Sequence, residues 1–267
     1  MSATVLLDWQ DDIAILTLNR PACQNTVDDV MARELFAALQ SLDHHPTLRC
    51  LILRGAGASF TAGGDIRMYA RLLEMSEERR HDAVMALMAD MHGVIEAIYD
   101  LSVPVLASVE GMVAGFGLSL VAACDLVIAA DDARFSPADT RLGVTPAGGC
   151  TWFLPRLLGM KTAMEILLLG QEFDARRARE LGIVNQVSGT GGLAHETLAL
   201  AQRLARGPRK VQAQLKRLLH DSANATLAVQ LQAEAYHFIY GVENPEFVAG
   251  VRACLTGESP DFRPDGQ

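Results

Sequence analysis

The chain has 267 residues, half of them hydrophobic and only 6% aromatic, which suits one large aliphatic-cored domain or a domain with a small appendage. Its net charge of -9 argues against a nucleic-acid partner, because phosphate backbones demand clustered lysine and arginine. Five scattered cysteines (Cys23, Cys50, Cys124, Cys150, Cys254) with no C-x-x-C pair read as reduced structural thiols of a cytoplasmic protein, with no metal site expected.

The opening MSATVLLDWQDD lacks a basic segment ahead of an apolar run and reads as no secretory signal. Val5–Leu7 and Ile13–Leu18 read as paired strands, with Asp11 and Asp12 at the turn. A helix is expected over Val27 to Leu42, where Met31, Leu35 and Leu39 recur every four residues. Leu48–Leu53 is a third strand, followed by a glycine-rich loop from Gly55 to Asp65. Val84, Leu87, Met88, Met91, Ile95 and Ile98 then fall at helical spacing. Val103–Val109 is a buried strand. Gly111 to Gly117 opens into a short apolar helix ending near Cys124, and Leu126–Ala130 is another strand. Met112 to Cys124 is the stretch most like a membrane span, but it is too short and carries glycines, so no membrane partner is expected.

Strand, helix, strand in that order implies an α/β fold with buried, largely parallel strands. From Leu193 onward the pattern is helical, broken at Gly207-Pro208 and at Gly241, with Pro208 suited to a first turn. The chain therefore divides into a core over 1–195 and a helical C-terminal region over 196–267. Its last residues, Ser259 to Gln267, are expected to fray.

Several ligand motifs fail. The run Gly55-Ala56-Gly57-Ala58-Ser59-Phe60 lacks the third glycine of a dinucleotide fingerprint, and no phosphate-binding G-x-x-x-x-G-K-[ST] occurs. Gly117-Leu118-Ser119-Leu120-Val121 lacks the second glycine of a nucleophile elbow. Two loops remain, Phe60 to Ile66 and Glu110 to Gly117, each between a strand and a helix. Glycines at such joints let main-chain N–H groups face a ligand, and a helix N-terminus adds partial positive charge. Two such donors converging on one oxygen would make an oxyanion hole; tight packing of the turns is the alternative reading.

Together these loops resemble the crotonase superfamily, the enoyl-CoA hydratase/isomerase family, over almost the whole chain. Leu18-Asn19-Arg20-Pro21 followed by Asn25 resembles its "LNRP…N" segment. Ala62-Gly63-Gly64-Asp65-Ile66 resembles "AGAD[IL]", and Val103-Pro104 with Gly111 to Asp125 resembles "KPVIAAVNGYALGGG…CD". Leu142 to Gly149 with Leu154-Pro155-Arg156 resembles "LGLIPGAGGTQRLPR", and Gly170 to Val187 resembles "G…ISAEEALEIGLVNKVV". The resemblance implies a spiral of ββα units with a helical C-terminal oligomerisation region, building homotrimers or dimers of trimers. It implies an acyl-CoA thioester substrate, with coenzyme A part of the substrate and no separate cofactor. Gly64 N–H and Phe116 N–H would form the oxyanion hole, and Arg20, Ala62, Asp65, Ile66 and Arg67 would contact coenzyme A. Phe116 is bulkier than the family's glycine and would narrow the acyl pocket.

The carboxylates depart from the family. Hydratases place one glutamate where this chain has Ser119 and another where it has Asp139. Ser119 cannot serve as a general base near neutral pH without an activating partner, whereas Asp139 can. Asp139 alone fits double-bond isomerisation between 3-enoyl and 2-enoyl thioesters. Asp139 with Ser119 positioning water for hydration stays open, as do a catalytically silent acyl-CoA binder and a turn-capping role for Asp139. Glu110 is expected to fix the second loop. Asp65 and Asp125 are expected to bond to backbone. The basic run from Arg203 to Arg217 is either a solvated face or a coenzyme A phosphate patch.

Overall fold

The aliphatic runs become strands of a large sheet whose two faces are both covered. A computed structural model describes residues 3–263; the expected fraying of the tail falls, from residue 264 on, outside the described residues. The chain opens with β1 (Val5–Gln10), β2 (Ile13–Leu18), α1 (Asp29–Leu42) and β3 (Cys50–Gly55). Helices α2 (Ile66–Leu73) and α3 (Glu77–Asp100) lead to β4 (Val105–Val109), β5 (Met112–Ala114) and α4 (Phe116–Ala123). Then come β6 (Leu126–Ala130), β7 (Arg134–Ser136), a 3-10 turn (Ala138–Leu142), α5 (Cys150–Leu158) and α6 (Met160–Leu169). β8 (Phe173–Asp174), α7 (Ala175–Glu180) and β9 (Gln186–Ser188) close the spiral. α8 (Leu193–Ala205), α9 (Arg209–Ser222), α10 (Leu227–Val242) and α11 (Pro245–Thr256) follow.

The large sheet runs β1-β2-β3-β4-β6-β9, antiparallel only between β1 and β2. Side chains alternate between its faces with the period of two that strands impose. Ile13, Cys50, Ile52, Leu106 and Ile128 meet Ala201 and Ala205 of α8 on one face. Ala14, Leu16, Leu51, Leu53, Val105 and Ala107 meet Leu35 and Leu39 of α1 and Val94 and Ile98 of α3 on the other. Burial on both sides explains why these strands read as unbroken apolar runs.

A smaller sheet, β5-β7-β8, is extended by single parallel bridges from Thr61 to Val113 and from Val27 to Gly64. Successive turns of the chain thus lay one strand in the large sheet, one row in the small sheet, and then a helix. This is the spiral α/β architecture expected.

Some details differ from the sequence reading. Helix α1 starts at Asp29, not Val27, because Val27 bridges Gly64 and the Asp28 carboxylate caps the helix by accepting from Met31 N at 2.9 Å. The segment Gly111 to Gly117 holds the short strand β5 before α4, with Gly111 and Gly115 at positive φ on either side. Pro208 is the residue preceding α9 rather than part of its first turn. Gly241 sits inside the last turn of α10, which ends one residue later, ahead of α11; a further break, unmarked by glycine or proline, falls between Ser222 and Leu227, where Thr226 caps α10 by accepting from Val229 N.

The boundary at residue 195 falls within α8, whose Ala201 and Ala205 pack on the sheet. Arg49, at the start of β3 and only 8% exposed, donates to the carbonyls of Ala205, Gly207 and Phe262. Helices α9, α10 and α11 bury no residue fully within the chain. Lys216 of α9 nonetheless reaches Asp125 at 2.9 Å and Ile98 O at 3.2 Å. Among the described residues no helix is long and apolar enough to cross a membrane.

Candidate active site

Three adjacent rows of the small sheet deliver the expected site residues to one end. Gly64 follows the row containing Thr61, Phe116 follows β5, and Asp139 follows β7. Thr61 N donates to Met112 O at 3.0 Å, and Ala114 N donates to Thr61 O at 2.9 Å, locking the first two rows. Arg134 N to Gly111 O (2.8 Å) and Gly115 N to Ser136 O (3.0 Å) lock the next pair. Because these rows run parallel, residues just beyond each row emerge on the same side.

The loops touch closely. A Cβ on Gly63, which has φ +89°, would lie 2.6 Å from Ala114 O. A Cβ on Gly117 would lie 2.6 Å from Thr61 Cγ2. Glycine at these positions is a packing requirement. Among the described residues neither Gly64 N–H nor Phe116 N–H donates to a main-chain carbonyl. The Phe116 N–H opens α4, where the first amides have no partner within the helix.

Asp139 is half-buried in the first turn of the 3-10 segment. Its Oδ1 lies 3.4 Å from where a Cβ on Gly115 would stand, next to the Phe116 amide. Burial pushes its carboxyl above the ordinary aspartate value, with only its own main-chain amide opposing. Gly143, at φ +71°, closes the turn, and Val144 N bonds to Asp139 O at 3.2 Å.

Ser119 is fully buried in α4. Its hydroxyl donates to Cys150 Sγ at 3.2 Å. Burial pushes the Cys150 thiol up to about 12, Ser119 opposing and the Asp139 charge adding to it. The Phe116 ring is buried in the main core, beside the α-carbon of Gly148.

The residues expected to contact coenzyme A separate into two groups. Arg20 is held inside: its guanidinium reaches Asp65 Oδ2 at 2.9 Å, Asp28 Oδ2 at 3.0 Å and the Thr26 carbonyl. Asp65 is buried and caps α2 by accepting from Arg67 N at 2.9 Å. Burial raises its carboxyl, but the Arg67 amide and the Arg20 guanidinium outweigh this and hold it below the usual range. Ile66 and Arg67 are exposed at the start of α2, and Ala62 is half-buried.

Asp125 accepts from Val105 N at 2.7 Å, a backbone role as expected. The Glu110 carbonyl accepts from Phe60 N at 2.8 Å, tying the two loops together, while its side chain lines a 780 Å³ cavity that α8 covers on the other side of the large sheet. Within the basic run, Arg209 and Lys216 are spent on carbonyls and on Asp125. Among the described residues no group of three or more His, Cys, Asp or Glu side chains could hold a metal ion.

Two neighbours of the site escaped the sequence reading. Tyr69 of α2 places its hydroxyl 2.1 Å from where a Cβ on Gly64 would stand. It follows the capping Asp65 by one helical turn, the only signal available. Cys150 occupies the last glycine of the "PGAGG" resemblance, and its contact with Ser119 spans 31 positions.

The model of the "Enoyl-CoA hydratase/isomerase" family matches residues 8–264. A probable enoyl-CoA hydratase of Rhodobacter capsulatus is 34% identical over 97% of both chains. The 1,2-epoxyphenylacetyl-CoA isomerase of Escherichia coli is 34% identical over 98% of this chain and 99% of its own. A 4-chlorobenzoyl coenzyme A dehalogenase of Arthrobacter is 29% identical over 91% of this chain and 87% of its own. The crystal structure of an enoyl-CoA hydratase from Polaromonas superposes with a TM-score of 0.90 at 30% identity, covering 97% and 99%. With the match spanning nearly every residue and the spiral shared, the chain belongs to the enoyl-CoA hydratase/isomerase family of the crotonase superfamily.

Proposed function

We propose that this enzyme isomerises 3-enoyl-CoA to 2-enoyl-CoA thioesters, with Asp139 carrying the proton. The Asp139 carboxylate takes a proton from C2 of the 3-enoyl thioester, and the C–H electron pair moves toward the thioester oxygen. Gly64 N–H and Phe116 N–H hold that oxygen as it gains charge. Asp139 then returns the proton to C4, the double bond moves into conjugation, and nothing else is consumed. Ala62, Ile66 and Arg67 would line the coenzyme A arm, while Arg20 and Asp65 shape the loop from within. No separate cofactor enters this scheme.

One observation carries the reading. The Asp139 carboxylate stands 3.4 Å from the Cβ position of Gly115, the residue before the Phe116 amide, and burial raises its pKa, which favours a group that both takes and returns a proton. The second position is closed off, since the Ser119 hydroxyl is engaged with Cys150. A relative described as 1,2-epoxyphenylacetyl-CoA isomerase is compatible with enolate chemistry other than hydration. Hydration is the second reading, favoured by relatives described as probable enoyl-CoA hydratases. Mixing the protein with 3-enoyl-CoA and 2-enoyl-CoA separates the two: isomerisation creates the conjugated absorbance, and hydration removes it. Coenzyme A binding without either change would point to a silent binder.

The assembly proposed is a homotrimer or a dimer of trimers. Leu227, Phe238 and Leu255 are 74%, 72% and 82% exposed on α10 and α11, an apolar face suited to a second copy. Light scattering on the purified protein tests it.

A further inference from the structure

The Tyr69 phenol stands beside Gly64, and among the described residues its hydroxyl has no hydrogen-bond partner. Helix α2 starts from the Asp65 cap, and Tyr69 N bonds to Asp65 O at 3.1 Å. This fixes the helix's first turn beside the Gly64 loop. The ring is half-buried against the main core, so its direction is set by packing. Its oxygen lies 2.1 Å from the Cβ position of Gly64, so any larger residue there would displace it. Burial pushes the phenol above its ordinary value, and the charges of Asp139 and Asp65 add to this. It is therefore protonated at neutral pH and available as a donor. None of the influences on it is a hydrogen bond.

The Tyr69 oxygen is not among the fully buried unpartnered polar atoms, so water satisfies it in the free protein and a ligand oxygen would take that water's place. Gly64 adjoins that position, and the Asp139 and Asp65 carboxylates are near enough for their charges to act on the phenol. The Gly64 N–H cannot accept from a phenol, and Asp139 makes no side-chain bond to Tyr69. We propose that Tyr69 is a catalytic residue whose hydroxyl donates to the thioester oxygen beside Gly64, as a third donor that strengthens as the enolate forms. This rests on the two-amide reading above and adds a side chain to it. The phenol keeps its proton throughout, so the proton balance of the Asp139 step is unchanged. In the double-bond isomerisation, Tyr69 would offset the loss of the second carboxylate by deepening the enolate well.

The test uses the full chain and a chromophoric thioester, 4-(dimethylamino)cinnamoyl-CoA, whose absorbance moves to longer wavelength when its carbonyl is polarised. Wild type should shift it on binding. Tyr69→Phe should bind it with Kd within about threefold and show a smaller shift. It should also lower kcat on a 3-enoyl-CoA by about 10- to 100-fold, below the usual effect of a full oxyanion-hole donor, with KM little changed. A second variant keeps the shape: Tyr69→3-fluorotyrosine, a more acidic phenol, should enlarge the shift. An unchanged shift and kcat in Tyr69→Phe, at an unchanged melting temperature, overturns the role of Tyr69 alone. No shift in wild type overturns the two-amide reading, and Tyr69 with it.

Discussion

The Ser119 hydroxyl and the Cys150 thiol meet at 3.2 Å, buried, at the positions where the family pattern that the sequence resembles has a glutamate and a glycine. The pair fills its own space and leaves none for a longer side chain. Ser119→Glu alone should therefore overpack the site and cost about 1–3 kcal/mol, read as a lower melting temperature. Removing the thiol as well, in Ser119→Glu with Cys150→Gly, should recover most of that stability. The double variant should also hydrate 2-enoyl-CoA faster than wild type, seen as loss of conjugated absorbance.

Asp139→Asn keeps the shape and removes the proton acceptor. Turnover should fall by about 10²–10⁴-fold, while affinity for a non-reactive acyl-CoA, measured by calorimetry, stays within a few-fold. Asp139 must be ionised to act, so kcat/KM should rise with pH through its pKa. Burial raises that pKa, which places the acid limb above the ordinary aspartate value of 3.8. A limb at or below 3.8 would assign the base elsewhere.

Gly63→Ala tests the contact between the loops. The residue needs φ +89°, and an added Cβ would stand 2.6 Å from the Ala114 carbonyl. Strain and overlap together should cost about 2–4 kcal/mol in denaturant unfolding. Gly182→Ala is the comparison: φ is +83° but nothing lies within 4 Å, so only the backbone cost of about 1–2 kcal/mol remains.

Asp65→Ala removes a helix cap and one partner of Arg20. A loss of about 1–2 kcal/mol is expected at neutral pH, mostly from the cap. Asp65 is held below its unfolded pKa, so its contribution is complete above the unfolded value. It is lost as pH falls through the folded one. The gap between wild type and Asp65→Ala should therefore narrow in acid, as followed by urea unfolding at several pH values.

The large sheet was legible because its strands are buried on both faces. Ile13–Leu18 and Leu126–Ala130 read as strands with little else to be. Strand β5 was not legible: Met112–Ala114 is three residues long between two glycines, and only its pairing with Arg134–Ser136 makes it a strand. Gly64, Phe116 and Asp139 could be placed by resemblance, since each sits in a recognisable stretch of sequence. The role of Arg20 could not. Its inward turn depends on Asp28 and Asp65, the latter 45 positions away. Ser119 was visible as a missing carboxylate, but its partner Cys150 was hidden because contact across helices leaves no trace in local spacing.

Arg49 makes the C-terminal helices hard to detach. Its guanidinium donates to main-chain oxygens at 205, 207 and 262, so a chain shortened to residue 195 would lose those acceptors, keep the Asp12 carboxylate at 3.8 Å, and bare the apolar sheet face that Ala201 and Ala205 cover. Such a fragment should be recovered as insoluble material. Sheet and tail would then rise and fall as one cooperative unit, showing a single thermal transition in the intact protein.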